Sequence, residues 1–399
     1  MLSWENTPSL RPMLRERAWV EVDLTALAHN TRQLKGHLAV GTDLMAVVKA
    51  DAYGHGAVAI AQTALQHGAT WLGVATIPEG IELREAGVTA PILVLGATNT
   101  SEQIQAIAQW QLQPTLCTPR QALTFSDAMG RLASTEQLPV HLKLDTGMSR
   151  LGMPWEQATE FSRLVYHLPQ LKIASVYSHL ATADDPNPAM MRLQQQRFEG
   201  AIAQLRQAGV NPPRLHLANS AATLTDPALH YDMVRTGLAL YGLPPAPHLS
   251  RTLPLLPVLQ VKARITQVKP LAAGTGVSYG HSFVAPHDMH LAVVGIGYAD
   301  GVPRLLSNRM EVLIRGQRVP QIGAITMDQM MLDVSTIPDL QPGEVVTLLG
   351  RDGTNCISAE DWATTIGTIS WEILCGFKHR LPRLTVNCPQ QAPFSTPTR

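Results

Sequence analysis

Lys49 lies in the run Val47-Val48-Lys49-Ala50-Asp51-Ala52-Tyr53-Gly54-His55-Gly56. The apolar stretch Leu44 to Val48 reads as a buried strand that delivers an amine at its carboxyl end. A glycine-punctuated turn carrying a phenol follows. An amine in a partly dry site sheds its proton and condenses with an aldehyde as a Schiff base. Taken alone, the segment more often marks a solvated lysine at a strand end. The rest of the chain decides between the two readings.

Further groups with chemical potential recur at the ends of later apolar runs. Lys143 and Asp145 close one, with Ser149 and Arg150 just beyond; His179 closes the next. Asn219 and Ser220 end a third, and Arg235-Thr236-Gly237 lie in a fourth. Each has a plain alternative: a satisfied core histidine, a lysine that snorkels outward, a surface arginine, a serine capping a helix. Charged residues inside apolar strands are costly unless paired, so the set carries more weight than any member.

The elements that must position them are eight β-like runs: Leu44–Lys49, Trp71–Thr76, Pro91–Leu95, Gln113–Cys117, Val140–Asp145, Lys172–His179, Arg214–Asn219 and Met233–Leu240. Amphipathic stretches such as Ala57–Gln66, Ile81–Ala86, Trp155–His167 and Met190–Gln207 fall between them. This alternation predicts an α/β fold of the (β/α)8 TIM-type, whose catalytic groups gather at the carboxyl ends of the strands. A doubly wound open sheet competes, but no G-x-G-x-x-G follows the first strand.

After Gly242 the pattern changes. Gly242–Pro257 holds five prolines and reads as a linker. Beyond it, Val258–Val268, His290–Ile296, Met310–Arg315, Met330–Val334 and Glu344–Leu349 read as strands. The expected organisation is a barrel over residues 15–250, a mostly β domain over 251–386 and a disordered tail over 387–399.

The chain has 399 residues, 45% hydrophobic and 16% charged, with 31 basic and 31 acidic side chains. Such a composition buries large cores and offers no basic field for nucleic acid or an anionic membrane. The four cysteines lack paired spacing, so no disulfide framework or metal site is expected. No secretory apolar core or membrane-spanning run is legible, and a cytoplasmic enzyme of small-molecule chemistry is the expectation.

Together, Val47–Gly56, Leu144–Gly152, Tyr177–Asp184, Ala218–Ala222, Val234–Gly242, Gly276–Gly280, Gly297–Gly301 and Met327-Asp328 resemble the motifs of the alanine racemases. These are pyridoxal-phosphate (PLP) enzymes built from a (β/α)8 barrel and a β domain. The match runs in family order from about residue 17 to about residue 383. It differs at Asp51, where asparagine is common, and at Trp371, where relatives carry a phosphate-facing tyrosine. Indole donates one N–H and accepts nothing, so Trp371 is expected to alter cofactor affinity or pocket shape.

The resemblance implies racemisation of L-alanine to D-alanine, a peptidoglycan precursor, by two bases. Lys49 would hold PLP covalently and serve one face of the substrate α-carbon; Tyr279, from the other subunit of a homodimer, would serve the opposite face. Free tyrosine is a poor base near neutrality. The resemblance puts His179 beside its hydroxyl and Arg235 behind the histidine, facing the pyridine nitrogen. An arginine there leaves that nitrogen unprotonated and limits delocalisation of a carbanion into the ring. Tyr53, Asn219, Ser220, Gly237, Leu238 and Trp371 would complete the cofactor site. Arg150 would meet both the cofactor's phenolate and the substrate carboxylate. Lys143 would be a carboxylysine orienting Arg150, Met327 would bind the carboxylate through its backbone, and Tyr298 would narrow the entrance. The alternatives are a PLP-dependent decarboxylase, a PLP-carrying binding protein and a racemase that also accepts serine or lysine.

Overall fold

The computed structural model describes residues 17–132 and 136–388. The expected tail thus lies mostly outside the described residues. Contacts divide the chain into two units. One comprises Thr25–Ala52 and Gly56–Pro257; the other comprises the described residues up to Leu24, Tyr53–His55 and the chain from Val258 onward.

The element order opens with β1 (Ala18–Asp23) and α1 (Leu24–His37). In the first unit follow β2 (Asp43–Val47), β3 (Trp71–Val74), β4 (Ile92–Ala97), β5 (Gln113–Leu116), β6 (Leu138–Asp145), β7 (Met153–Pro154), β8 (Leu171–Tyr177), β9 (Leu215–His216) and β10 (Met233–Thr236). Eight of these form one sheet in the order β10-β2-β3-β4-β5-β6-β8-β9, with every ladder parallel. The last gap is bridged by Asp232 N–H to Leu215 O at 3.0 Å and Arg235 N–H to Ala218 O at 3.1 Å. These are the eight expected strands, and the (β/α)8 barrel stands.

Helices return the chain between strands, as parallel pairing requires. After a short turn α2 (Lys49–Gly54) comes α3 (Ala57–Gln66), which buries Ala57, Ile60, Ala61 and Ala64 at helical spacing. Then come α4 (Ile77–Glu85), α5 (Ser101–Gln109), α6 (Pro119–Arg131), α7 (Ala158–Tyr166), α8 (Ala189–Gln207) and α9 (Ser220–Thr225). The starts of α4 and α5 are capping boxes, Thr76 with Glu79 and Thr100 with Gln103, so local sequence sets where each helix begins. The proline-rich stretch before Pro257 is packed rather than free. Asn30 of α1 exchanges hydrogen bonds with both Leu256 O (2.7 Å) and Leu256 N–H (2.8 Å).

The second unit is built on β11 (Leu259–Leu271), a long strand bent by an irregularity between Ile265 and Gln267. Around it lie β12 (Gly276–Val277), β13 (Phe283–Val284), β14 (Met289–Val294), β15 (Glu311–Ile314), β16 (Gln317–Ile322), β17 (Met330–Asp333), β18 (Val345–Asp352), β19 (Asn355–Ile357) and β20 (Arg383–Val386). Because β11 pairs with both β14 and β18, six strands close on themselves, and closure removes exposed edges. All five strands expected after the proline-rich stretch are present. The sheet also recruits β1, which pairs antiparallel with β11 and parallel with β20. Two helices, α10 (Ala359–Ile366) and α11 (Ser370–Gly376), complete the unit.

Candidate active site

Strand β2 ends at Val47, and Lys49 opens α2 directly after it. The turn is left-handed. Ala50, Asp51, Ala52 and Tyr53 have φ of 54°, 53°, 51° and 55°, and Gly54 follows at 82°. Successive non-glycine residues in this region are rare, because each Cβ crowds the following carbonyl at about 1–2 kcal/mol per residue. Local bonds hold the turn. Ala52 N–H reaches Val48 O at 2.9 Å, and Gly56 N–H reaches Asp51 O at 3.0 Å. Glu79, from α4, accepts the N–H groups of Ala50 (2.8 Å), Ala75 (2.7 Å) and Thr76 (3.0 Å). The Asp51 carboxylate accepts Ala57 N–H at 2.8 Å at the start of α3, where a negative charge is favourable. Asp51 thus suits the turn and the helix together. The strand end itself is pinned by Tyr241, whose hydroxyl donates to Val47 O at 2.8 Å.

Arg235 of β10 is buried, and burial lowers its pKa to about 10. Its Nη2 donates to Ser178 O (2.8 Å), Leu217 O (3.1 Å) and Nδ1 of His179 (3.1 Å). Its Nη1 donates to Nδ1 of His216 at 2.9 Å. A guanidinium cannot accept, so both histidines offer lone pairs to it and carry their protons on Nε2. Burial first, then the charges of Arg235, Lys143, Arg150 and Lys49, push the His179 pKa well below its ordinary value. Arg235 touches that imidazole directly, and the other three cations act on it through their charge. Lys143 is buried in β6; burial, then Arg235 and Arg150, lower its pKa to about 8. Tyr177 lies flat on His216, with centroids 4.5 Å apart, and faces both Lys143 Nζ (5.5 Å) and Arg235 (5.2 Å).

Asp145 accepts the N–H groups of Gly147 (2.9 Å) and Ser149 (3.1 Å), folding the loop that leads to the exposed Arg150. Asn219 caps α9 by accepting Ala222 N–H at 3.0 Å. Buried Ser220 accepts the N–H groups of Gly237 (2.9 Å) and Ala239 (3.3 Å), so Ser220, Gly237 and Leu238 belong to one compact turn. Nearby in sequence, the buried Thr236 hydroxyl has no hydrogen-bond partner among the described residues.

In the second unit Tyr279 sits on a strained turn, flanked by Ser278 at φ 63°, Gly280 at 70° and His281 at 43°. Ser278 Oγ ties the turn down by donating to Ala324 O at 2.7 Å. Glycine is required at Gly323, where a Cβ would lie 2.9 Å from Val277 O. Tyr279 is 74% exposed, Tyr298 42% and Met327 52%. The loops bearing Tyr298 and Met327 are cross-bonded, Tyr298 N–H to Thr326 O and Ala299 N–H to Met327 O, each at 3.0 Å. Beneath them the buried Asp300 carboxylate accepts two bonds of 2.7 Å from Arg17 and one of 2.9 Å from Gly297 N–H. Trp371 lies on α11. The segment of Tyr53 meets that helix as well: a Cβ on Gly54 would stand 2.6 Å from Leu374 O.

The sequence reading did not single out His216, Tyr177, Glu79 or Asp300. For His216 and Tyr177 a signal existed. Polar or aromatic groups alternate at period two within apolar strands, Arg214 with His216 and Ser175 with Tyr177. The Thr76–Glu79 capping box was also legible locally, but the bonds from Glu79 to Ala50 and from Arg17 to Asp300 join residues remote in sequence and left no such mark.

The donor set fits PLP. An amine stands at a strand mouth for the aldehyde. The rim is cationic, and Ser220, the Gly237 turn and the unpartnered Thr236 hydroxyl lie at one strand end. Arg235, a donor that cannot accept, suits an unprotonated ring nitrogen. Both units match known proteins. Residues 22–245 match the model of the alanine racemase N-terminal domain, and residues 258–385 that of the C-terminal domain. An alanine racemase from Nostoc sp. is 69% identical over 93% of this chain and 96% of its own length. One from Synechocystis sp. is 66% identical over 94% of this chain and 100% of its own length. The crystal structure of alanine racemase from Streptomyces lavendulae superposes with a TM-score of 0.87 at 38% identity, covering 93% of this chain and 97% of that one. Matches of this identity and span over both units make the chain a member of the alanine racemase family.

Proposed function

We propose that the protein interconverts L- and D-alanine with pyridoxal phosphate, using Lys49 and Tyr279 as bases on opposite faces of the substrate α-carbon. The observation that carries the reading is the buried Arg235 guanidinium donating to Nδ1 of His179 at 3.1 Å, with Lys143 and Arg235 facing one Tyr177 ring at 5.5 and 5.2 Å. Lys49 would hold the cofactor, with Tyr53, Asn219, Ser220, Gly237, Leu238 and Trp371 around its phosphate and ring. When bound, pyridoxal phosphate supplies an electron-withdrawing system that acidifies the α-carbon C–H.

The residues divide the remaining work. Lys49 Nζ takes the α-proton from one face, and the Tyr279 hydroxyl delivers one to the other; the reverse reaction exchanges their roles. A neutral His179 with its proton on Nε2 can only donate to a phenol oxygen, which favours the phenolate and makes Tyr279 a usable base. Arg235 donates toward the pyridine nitrogen and cannot protonate it by acid–base exchange. Arg150 and the backbone at Met327 bind the substrate carboxylate, and Tyr298 narrows access. Lys143, buried between arginines, is suited to carboxylation: a neutral amine can capture carbon dioxide, and the product is an anionic partner for Arg150.

Tyr279 is 74% exposed and so open to a second copy, and the reading has each site borrow Tyr279 from that copy in a homodimer. Among the described residues no helix is long and apolar enough to cross a membrane. A cytoplasmic role, supplying D-alanine for peptidoglycan, goes with the reading. Chiral chromatography of the purified protein with PLP and L-alanine tests it directly. D-Alanine should accumulate to an equimolar mixture, and Lys49→Ala should abolish this together with the cofactor's bound absorbance. Tyr279→Phe should impair proton exchange from one enantiomer far more than from the other; equal impairment would refute the two-base assignment.

A further inference from the structure

The core of a parallel barrel is usually filled by branched apolar side chains. One part of this one follows the rule, with Met45, Trp71, Leu93 and Met233 in one apolar cluster. Another part is polar. Trp71 of β3 meets His141 of β6 edge-on, centroids 5.5 Å apart. Because β4 and β5 intervene in the sheet, this contact crosses the barrel interior. From His141 a continuous chain of hydrogen bonds runs through adjacent strands. His141 Nε2 meets Gln113 Oε1 at 2.8 Å, and its Nδ1 meets Ser175 Oγ at 2.6 Å. Ser175 Oγ meets His216 Nε2 at 2.8 Å, and His216 Nδ1 meets Arg235 at 2.9 Å. His141, Ser175 and His216 are all fully buried.

The direction of every bond follows from its two ends. Arg235 only donates, so neutral His216 carries its proton on Nε2 and gives it to Ser175 Oγ. The Ser175 hydroxyl then needs an acceptor, and His141 Nδ1 is in reach. His141 accordingly holds its proton on Nε2 and donates to the Gln113 carbonyl oxygen. With the reverse arrangement at His141, the Ser175 hydroxyl proton would be left buried without a partner, which is costly. Burial and the nearby Arg214 charge lower the His141 pKa to about 3, and burial and Arg235 push His216 well down, so both stay neutral.

We propose that Gln113, His141 and Ser175 are positioning residues that lock His216 in the tautomer offering its lone pair to Arg235. Through that lock they hold the guanidinium against His179. The inference rests on the racemase reading, because it is Arg235 and His179 that give the lock a catalytic consequence. Arg235 favours that tautomer from one side and the chain from the other; with the chain broken, the buried His216 Nε2–H loses its acceptor or meets a reoriented Ser175 hydroxyl, and the ring can turn an N–H toward the arginine. Two donors then face each other, and the guanidinium is displaced from His179.

The test uses the PLP-loaded enzyme and the variants Gln113→Met and Ser175→Ala. Gln113 is only partly buried, so its replacement is the change least able to unfold the barrel. Selective ¹⁵N-histidine labelling reads the His216 tautomer independently of turnover. Each variant should shift the His216 resonances toward a proton on Nδ1 and lower kcat about tenfold, with KM for alanine within a factor of two, as for loss of one charge-assisted hydrogen bond. The double variant should be no slower than the worse single one, because the chain acts as a unit. Unchanged His216 resonances and kcat in both variants of an active racemase, or purely additive losses, would overturn the proposal. An inactive wild-type protein would instead overturn the racemase reading while leaving the tautomer measurement intact.

Discussion

Replacing Ala50 by glycine should make this protein more stable. Ala50 is solvent-exposed, with φ of 54°, and its N–H is held by Glu79 at 2.8 Å. The methyl group contributes no buried contact, whereas its crowding in the left-handed region costs about 1–2 kcal/mol. Glycine removes that crowding and loses roughly 0.5–1 kcal/mol through the greater freedom of the unfolded chain. The balance is a gain of about 0.5–1 kcal/mol. For a chain of 399 residues, at about 2.1 cal/mol/K of unfolding entropy per residue, that corresponds to an increase in Tm of about 1 °C. Differential scanning calorimetry at fixed protein and cofactor concentration measures it, since ligand and association both move Tm. The reciprocal change in the same turn, Gly54→Ala, should have the opposite sign and a larger size. Gly54 has φ of 82°, and its Cβ would stand 2.6 Å from the backbone oxygen of Leu374, which cannot rotate away. A fall in Tm for Ala50→Gly, or tolerance of Gly54→Ala, would refute the view that the turn at Lys49 is a strained left-handed helix held by its surroundings.

Glu79→Gln keeps the side-chain shape but leaves one oxygen where two accept three backbone N–H groups, so it should destabilise by about 1–3 kcal/mol in urea titration and reduce kcat through the Ala50 bond. Lys143 has a pKa lowered to about 8, so between there and the ordinary lysine range the unfolded chain binds a proton that the folded state does not. Its contribution to stability therefore rises with pH across that window, and Lys143→Met should flatten the rise in Tm measured from pH 8 to 10. Added ¹³C-bicarbonate should also yield a carbamate signal in the wild type that this variant lacks. Trp371→Tyr should change PLP affinity or the KM for alanine while kcat stays within a few-fold; spectroscopic titration showing neither change would remove the role assigned to the indole.

Much of the barrel was legible because parallel strands announce themselves as short apolar runs, and helices by their spacing. The stretch Ala57–Gln66 is an example: Ile60, Ala61 and Ala64 recur at helical intervals and are the residues buried. The candidate site was legible to the extent that its groups close such runs, as Lys49, His179 and Arg235 do. Strand β1 was not. Its ladder to β11 joins Ala18 with Ala263, and no local pattern records a partner so remote. The five-proline stretch is another instance, since composition marks a break in regular structure but not the packing of Leu256 against Asn30.

The amino-acid sequence alone determined the repeating elements, the change to β structure after the prolines, and the identities of the groups at the strand ends. These are properties of neighbours along the chain, where propensity and periodicity act. Tertiary structure alone decided the left-handed hand of the Lys49 turn, since Ala50, Ala52 and Tyr53 have no intrinsic preference for it and the Glu79 carboxylate must be brought to it from α4. It also decided the tautomers of His141 and His216 and the burial of Asp300 under Arg17, a pair separated by 283 residues. Hydrogen-bond direction and charge pairing depend on which groups meet in space, and that meeting is settled only when the sheets close.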